Sequence, residues 1–133
     1  MEELQYQNNI INTPKCQIKM LSPITVYSTY LRENGQKHTM YYTPKDEMFY
    51  QLIEENLKKK YEAYTGKTVV GTFTIKPKKI RENDKVVTRF KGFIINAWNG
   101  VYELEGNPEL INFAYQVGLS NRNSQGFGMF QVI

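Results

Sequence analysis

From Cys16 the chain alternates. Cys16, Ile18 and Met20 are apolar while Gln17 and Lys19 are polar, which is the period of a strand with one wet face. Ser22-Pro23 ends that run. Two stretches rich in Thr, Tyr and Val follow, ITVYSTYL and KHTMYYT, and the Asn34-Gly35 pair between them predicts a hairpin, since both residues tolerate the positive φ of a tight strand reversal. After Pro44 the spacing changes. Met48, Phe49, Leu52, Ile53, Leu57, Tyr61 and Tyr64 recur three and four apart, with Asp46 and Glu47 in the first turn, so an amphipathic helix of about five turns is expected, stopped by Gly66.

Phe73 and Ile75 then alternate with Thr72, Thr74, Lys76 and Lys78. A second alternating run, Val86 to Ile95, follows the polar turn Arg81-Glu82-Asn83-Asp84, and the two runs are expected to pair as one hairpin. Trp98-Asn99-Gly100 reads as a turn or bulge, and Val101 to Leu104 as a short run. Asn107 caps and Pro108 opens a second helix with Leu110, Ile111, Ala114 and Val117 as its apolar positions and Gly118 as its stop. After the loop GLSNRNSQGFG, Met129 to Ile133 forms a last strand. The polar, aperiodic residues 1–15, ending in Thr13-Pro14 and Lys15, read as a linker, so the domain is expected to run from 16 to 133. The order β-α-β-β-α-β, with an extra hairpin before the first helix, is the ferredoxin-like α+β plan, two layers with both helices on one sheet face.

Composition narrows the function. With 133 residues the chain is one domain, long enough to hold a core without metal or disulfide staples. Its single cysteine, Cys16, excludes a cystine scaffold and a structural zinc site and is expected to be a small buried apolar residue. No run approaches a membrane span, and MEELQYQNN has acids where a secretion signal has bases, so a soluble cytoplasmic protein is expected. Lys and Arg number 17 against 13 Asp and Glu, a net charge of +4, and ten tyrosines accompany them. That balance permits a nucleic-acid partner.

Two groups of residues fit such a partner. Lys19, Lys76, Lys78, Arg89 and Lys91 fall at the polar parity of their strands and are expected to share the sheet face opposite the helices, where like charges call for an anionic partner or full solvation. Lys58, Lys59 and Lys60 read only as a wet helix face. In the loop, Gly118, Gly126 and Gly128 frame Ser120, Asn121, Arg122, Asn123, Ser124 and Gln125. Glycines there let backbone approach a phosphate closely, and Arg122 offers a bidentate contact. The loop lacks the Lys-Ser/Thr ending of a Walker motif, which argues against nucleoside triphosphates, and no cofactor or metal is expected.

The tail YELEGNPELINFAYQVGLSNRNSQGFGMFQV closely resembles the C-terminal signature of the CRISPR-associated endoribonucleases that process repeat RNA. LSPITVYSTYLRENGQKHTMYY resembles the start of the second half of the same proteins, so the resemblance covers nearly everything from residue 16 onward. The family's loop runs glycine, apolar residue, glycine and later Gly-Phe-Gly; Gly118, Leu119, Gly126, Phe127 and Gly128 match it, and Ser120 stands where a glycine is usual. The resemblance implies a RAMP-type nuclease of two ferredoxin-like halves that cuts repeat RNA without metal through the RNA's own 2′-hydroxyl, leaving a 2′,3′-cyclic phosphate. It also implies that this chain is the C-terminal half alone, as a truncated form, a natural fragment or a subunit that pairs with an N-terminal half or with itself. The family's usual catalytic histidine belongs to the other half. His38, the only histidine here, does not match that position and reads first as a solvated hairpin residue, with acid-base work as the alternative. Tyr27, Tyr30, Tyr41 and Tyr42 suit exposed strands, or could stack on bases. A catalytically inactive RNA-binding or scaffold subunit that docks a missing half or an effector complex is the competing reading; a small-molecule regulatory domain finds no support in the sequence.

Overall fold

The computed structural model describes residues 14–120 and 126–133. In chain order its elements are β1 (Lys15–Met20), β2 (Tyr27–Leu31), β3 (Lys37–Tyr41), α1 (Glu47–Thr65), β4 (Phe73–Lys79), β5 (Lys85–Phe90), β6 (Phe93–Trp98), β7 (Val101–Gly106), α2 (Pro108–Val117) and β8 (Phe130–Val132). A short 3-10 turn, Glu82–Asp84, joins β4 to β5. The main sheet is antiparallel, in the order β4-β7-β1-β8. With α1 after the first of these strands and α2 before the last, this is the expected ferredoxin-like plan.

The alternation in β1 carries through the sheet. Ile18 and Met20 point inward, as do Phe73 and Ile75 of β4, Tyr102 and Leu104 of β7, and Phe130 of β8. Against them α1 sets Phe49, Ile53, Leu57 and Tyr61, and α2 sets Leu110, Ile111 and Ala114, all in one core cluster. At about 1.5–3 kcal/mol per fully buried large apolar side chain, this cluster is what holds the two layers together. Cys16 packs at its margin, and burial, reinforced by the Glu103 carboxylate, pushes its thiol above the ordinary value, which fits an inert packing residue. The helix ends follow the sequence signals. Gly66 takes φ 70° and returns its N–H to Glu62 O, while the Asn107 side chain accepts the Glu109 N–H at 2.8 Å.

One expectation is overturned. The runs 72–78 and 86–95 do not pair. β4 pairs instead with β7, the segment read as a mere short run, and β7 is a central strand between β4 and β1. The 86–95 run hides a reversal at Lys91-Gly92, with φ 51° and 85°, the two positive values a tight primed turn requires. β5 and β6 therefore form a hairpin of their own. Arg81 N–H, donated to Asp84 Oδ2 at 2.7 Å, fixes the corner that turns the chain away from β4. The β2–β3 hairpin forms around Asn34-Gly35 as expected, with Tyr27 opposite Tyr41. Both hairpins are tied to the body through residues 22–26. Ile24 exchanges backbone bonds with Trp98, and Val26 O accepts the Tyr42 N–H.

Candidate nucleic-acid interface

The glycine-rich segment leaves α2 at Gly118 and returns to β8 after Gly128. Residues Asn121, Arg122, Asn123, Ser124 and Gln125 lie outside the described residues. The two roots of the loop are fixed to each other and to the body: Leu119 N–H reaches Gly128 O at 2.9 Å, and Gly128 N–H reaches Pro23 O at 2.8 Å. Gly118, Gly126 and Gly128 take φ values of 92°, 90° and 85°, a region that side chains other than glycine's rarely adopt. Phe127 is buried with Ile95 and Ala97 of β6, with Tyr41 of β3 packed alongside. The Gly-Phe-Gly unit thus uses its aromatic ring as a peg in the two hairpins.

Ser120 is not an open ligand residue, contrary to its placement among the RNA contacts. It is 2 % exposed, and its hydroxyl accepts the Thr25 N–H and donates to Thr25 O, both at 2.9 Å. Thr25 Oγ1 in turn donates to Asn96 O at 2.9 Å, so one chain of bonds runs from the loop root through the 22–26 segment to β6. A glycine at 120 has no hydroxyl to make that tie. Lys60 is the residue the sequence reading missed. Its ammonium donates to Ser120 O at 2.8 Å, and burial holds its pKa below the ordinary lysine value. Three adjacent lysines on a helix point about 100° apart, and only the fold selects which one faces the loop.

The basic sheet face is divided. Lys19, Lys76 and Lys78 occupy the outer face of the main sheet, as expected from their parity, whereas Arg89 and Lys91 belong to the β5–β6 hairpin and its turn. The charge repulsion anticipated among these lysines is met within the sheet itself. Glu103 of β7, only 8 % exposed, lies 3.4 Å from Lys78 Nζ and 3.7 Å from Lys15 Nζ, and Lys76 stands opposite it in register. Because both bridging lysines remain well exposed, each pair contributes little by itself. Their heads stay available at the surface.

His38 faces Tyr30 edge-on at 5.0 Å, and its Nδ1 lies 2.7 Å from an Arg32 guanidinium nitrogen. A guanidinium only donates, so Nδ1 is the acceptor and the ring carries its proton on Nε2. That is the geometry of a hairpin-surface residue. Tyr42 and Ser28 share a hydroxyl contact at 2.9 Å, and Tyr27 packs on Tyr41 at 5.7 Å, which leaves Tyr30 the most exposed of the four tyrosines. Among the described residues no group of His, Cys, Asp and Glu is placed to hold a metal ion, and no helix is long and apolar enough to cross a membrane.

A ferredoxin-like domain with a glycine-rich loop between its last helix and last strand and lysines on the outer face of its sheet is an architecture suited to RNA-backbone contact. The family described as CRISPR associated protein Cas6, C-terminal, matches residues 5–132, and the chain belongs to it. CRISPR-associated endoribonuclease Cas6 1 of Methanocaldococcus jannaschii is 32% identical over 117 residues, which is 84% of this chain and 43% of that protein. CRISPR-associated endoribonuclease Cas6 of Pyrococcus furiosus is likewise 32% identical over 117 residues, 84% of this chain and 40% of that protein. A solved structure described as CRISPR associated protein Cas6 superposes with a TM-score of 0.80 at 30% identity, covering 89% of this chain and 48% of that one. Another, described as an RAMP protein binding different RNA substrates, gives a TM-score of 0.81 at 24% identity over 91% of this chain and 49% of that one, a likeness of fold. The chain therefore spans less than half the length of these relatives.

Proposed function

We propose that this chain is the RNA-binding C-terminal half of a cytoplasmic CRISPR repeat-RNA-processing endoribonuclease. The observation that carries the proposal is the glycine-rich loop with both roots clamped, through Ser120, Thr25, Lys60 and the Phe127 peg, to a rigid two-layer body. Fixed roots hold the two ends of the loop in place and so lower the ordering cost of binding. Membership of the Cas6 family and the RNA bound by the RAMP relative support the same substrate class.

In the family's reaction the RNA 2′-oxygen attacks the neighbouring phosphorus and the 5′-oxygen leaves. A base takes the 2′ proton, an acid protonates the departing oxygen, and a cyclic phosphate and a 5′-hydroxyl result. We assign this chain the binding and positioning share of that reaction, with contacts from Gly118, Gly126, Gly128 and Arg122 and from Lys19, Lys76 and Lys78. Acid and base come from the half that pairs with it, because His38 is engaged with Arg32 on the hairpin surface. The test is incubation of the chain with end-labelled repeat RNA in EDTA, following bound fraction and products. Binding without scission is expected, and Arg122→Ala is expected to weaken it by about 1–3 kcal/mol. Failure to bind any repeat RNA refutes the proposal and favours a scaffold subunit, whereas cleavage leaving cyclic ends returns His38 and the tyrosines to candidacy.

A further inference from the structure

Two cavities meet at Arg81, at the corner where β4 gives way to the 3-10 turn. The first, about 460 Å³, is lined by Lys19, Lys79 and Arg81 with Asp84 as the one acid among its described residues, and lies at the end of the main sheet beside Gly100. The second, about 450 Å³, has apolar walls from Pro77, Ile80 and Trp98. Lys45, Arg81 and Lys85 surround it, with Glu82 the one acid among its described residues. Arg81 lines both. Among the described residues, none of the glycine-rich loop lines either cavity.

The two cavities differ in chemistry in a way that matches one ligand. Unpaired RNA offers a flat apolar base with polar edges, joined through a sugar to a phosphate, and proteins that bind it set aromatic or apolar surface beside cations. Here the apolar walls and the cations alternate across a single arginine side chain. Trp98 adds a second, independent feature. Its indole Nε1 is buried and meets no hydrogen-bond acceptor among the described residues. Buried by the protein itself, that N–H is out of reach of a ligand in the cavity, so what Trp98 offers a base is its ring surface. Lys45, Lys79, Arg81 and Lys85 form no ion pair among the described residues, so their charge is available to an anion.

We propose that these two cavities, which share Arg81, together hold one unpaired nucleotide of the RNA, its base against Trp98 in the apolar cavity and its phosphate on Arg81 and the adjoining lysines. This rests on the reading of the chain as an RNA binder and adds a place where a single base is read. Trp98 would be the positioning surface for the base, and Arg81 the residue that joins base and backbone recognition.

Trp98 is the only tryptophan in the chain, so its emission reports this site alone. The whole chain is titrated with single-stranded homopolymeric RNA tetranucleotides while Trp98 fluorescence is followed, and in parallel with labelled repeat RNA by anisotropy. The expected result is saturable quenching that differs between the four bases and is weakened about tenfold or more by Arg81→Ala, the loss of one charge-assisted contact. Trp98→Phe, checked for its fold by circular dichroism, keeps an aromatic wall but with a smaller ring, and is expected to flatten the differences between bases when binding is read by anisotropy. If repeat RNA binds but Trp98 emission does not move, the nucleotide site is refuted and RNA binding stands. Quenching that Arg81→Ala leaves unchanged, or that duplex RNA matches, refutes it as well. Absence of any RNA binding by anisotropy overturns both readings together.

Discussion

Replacing Ser120 by alanine isolates the clamp at the loop root. The hydroxyl is the partner of both the N–H and the C=O of Thr25, a residue with no exposed surface. Alanine keeps the backbone geometry and most of the volume but leaves two buried backbone groups without that partner. Each such loss costs about 1–3 kcal/mol, and allowing for partial relaxation of the loop the sum is about 2–4 kcal/mol. Against a total stability of about 5–15 kcal/mol, that is a large fraction. Urea unfolding followed by circular dichroism is the assay: the midpoint is expected to fall with the slope unchanged, and the melting temperature to drop by about 6–15 °C. RNA affinity, measured well below the new melting point, is expected to fall too, because the root of the loop loses its fixed position. A loss of stability under about 1 kcal/mol with unchanged affinity would refute the clamp as the element that holds the loop.

Other perturbations test the frame around it. Gly106→Ala places a methyl group against the Thr72 carbonyl, with Thr72 C at 2.7 Å and Phe73 Cα at 2.9 Å, at φ 139°. Backbone cannot yield as a side chain can, so a loss of about 3 kcal/mol or more is expected, seen as little folded protein by circular dichroism at 25 °C. Burial raises the Glu54 carboxyl above its ordinary value, outweighing the Ile75 N–H and Lys58 that favour its charged form. Its proton is therefore held more tightly folded than unfolded. That contribution to stability is complete below the ordinary carboxyl pKa and is lost as pH rises through the raised folded value, and Glu54→Gln is expected to remove this fall in a urea series across mildly acidic pH. Glu103→Gln releases the bridges to Lys15 and Lys78, so RNA affinity at low salt is expected to rise severalfold with a steeper salt dependence; an unchanged salt slope would exclude these lysines from the interface.

Elements whose pattern was strong were legible before the structure. The alternation of β1, the three-and-four spacing of α1, the Asn107-Pro108 start of α2 and the Asn34-Gly35 hairpin all appear where the residues put them. What failed was pairing. Lys91 carries no turn signature, since a lysine at positive φ is an exception, and the run from 86 to 95 therefore read as one strand. β7 holds Glu103 and Glu105 among its apolar positions, which disguises a strand central to the sheet as a short peripheral one. The glycine-rich loop stood out by composition, whereas Lys60 and Ser120 acquire their roles only from contacts between residues far apart in sequence. The parity of Lys19, Lys76 and Lys78 was readable; their neutralisation by Glu103 required the register.

The pairing of the first and last strands sets the order in which the molecule comes together. β1 meets β8 through Ile18 with Val132 and Met20 with Phe130, contacts that close nearly the whole chain into a loop. Local pieces such as the β2–β3 and β5–β6 hairpins and the long helix form on microsecond timescales, while contacts so distant along the chain bear the full entropy of closure and come late. On a ribosome the body can collapse around β1, β4 and β7 before the glycine-rich segment emerges, so the Ser120–Thr25 tie and the Phe127 peg set only after residues 120 and 127 have followed. The clamp on the glycine-rich loop is therefore set late, after β1, β4 and β7 have found one another.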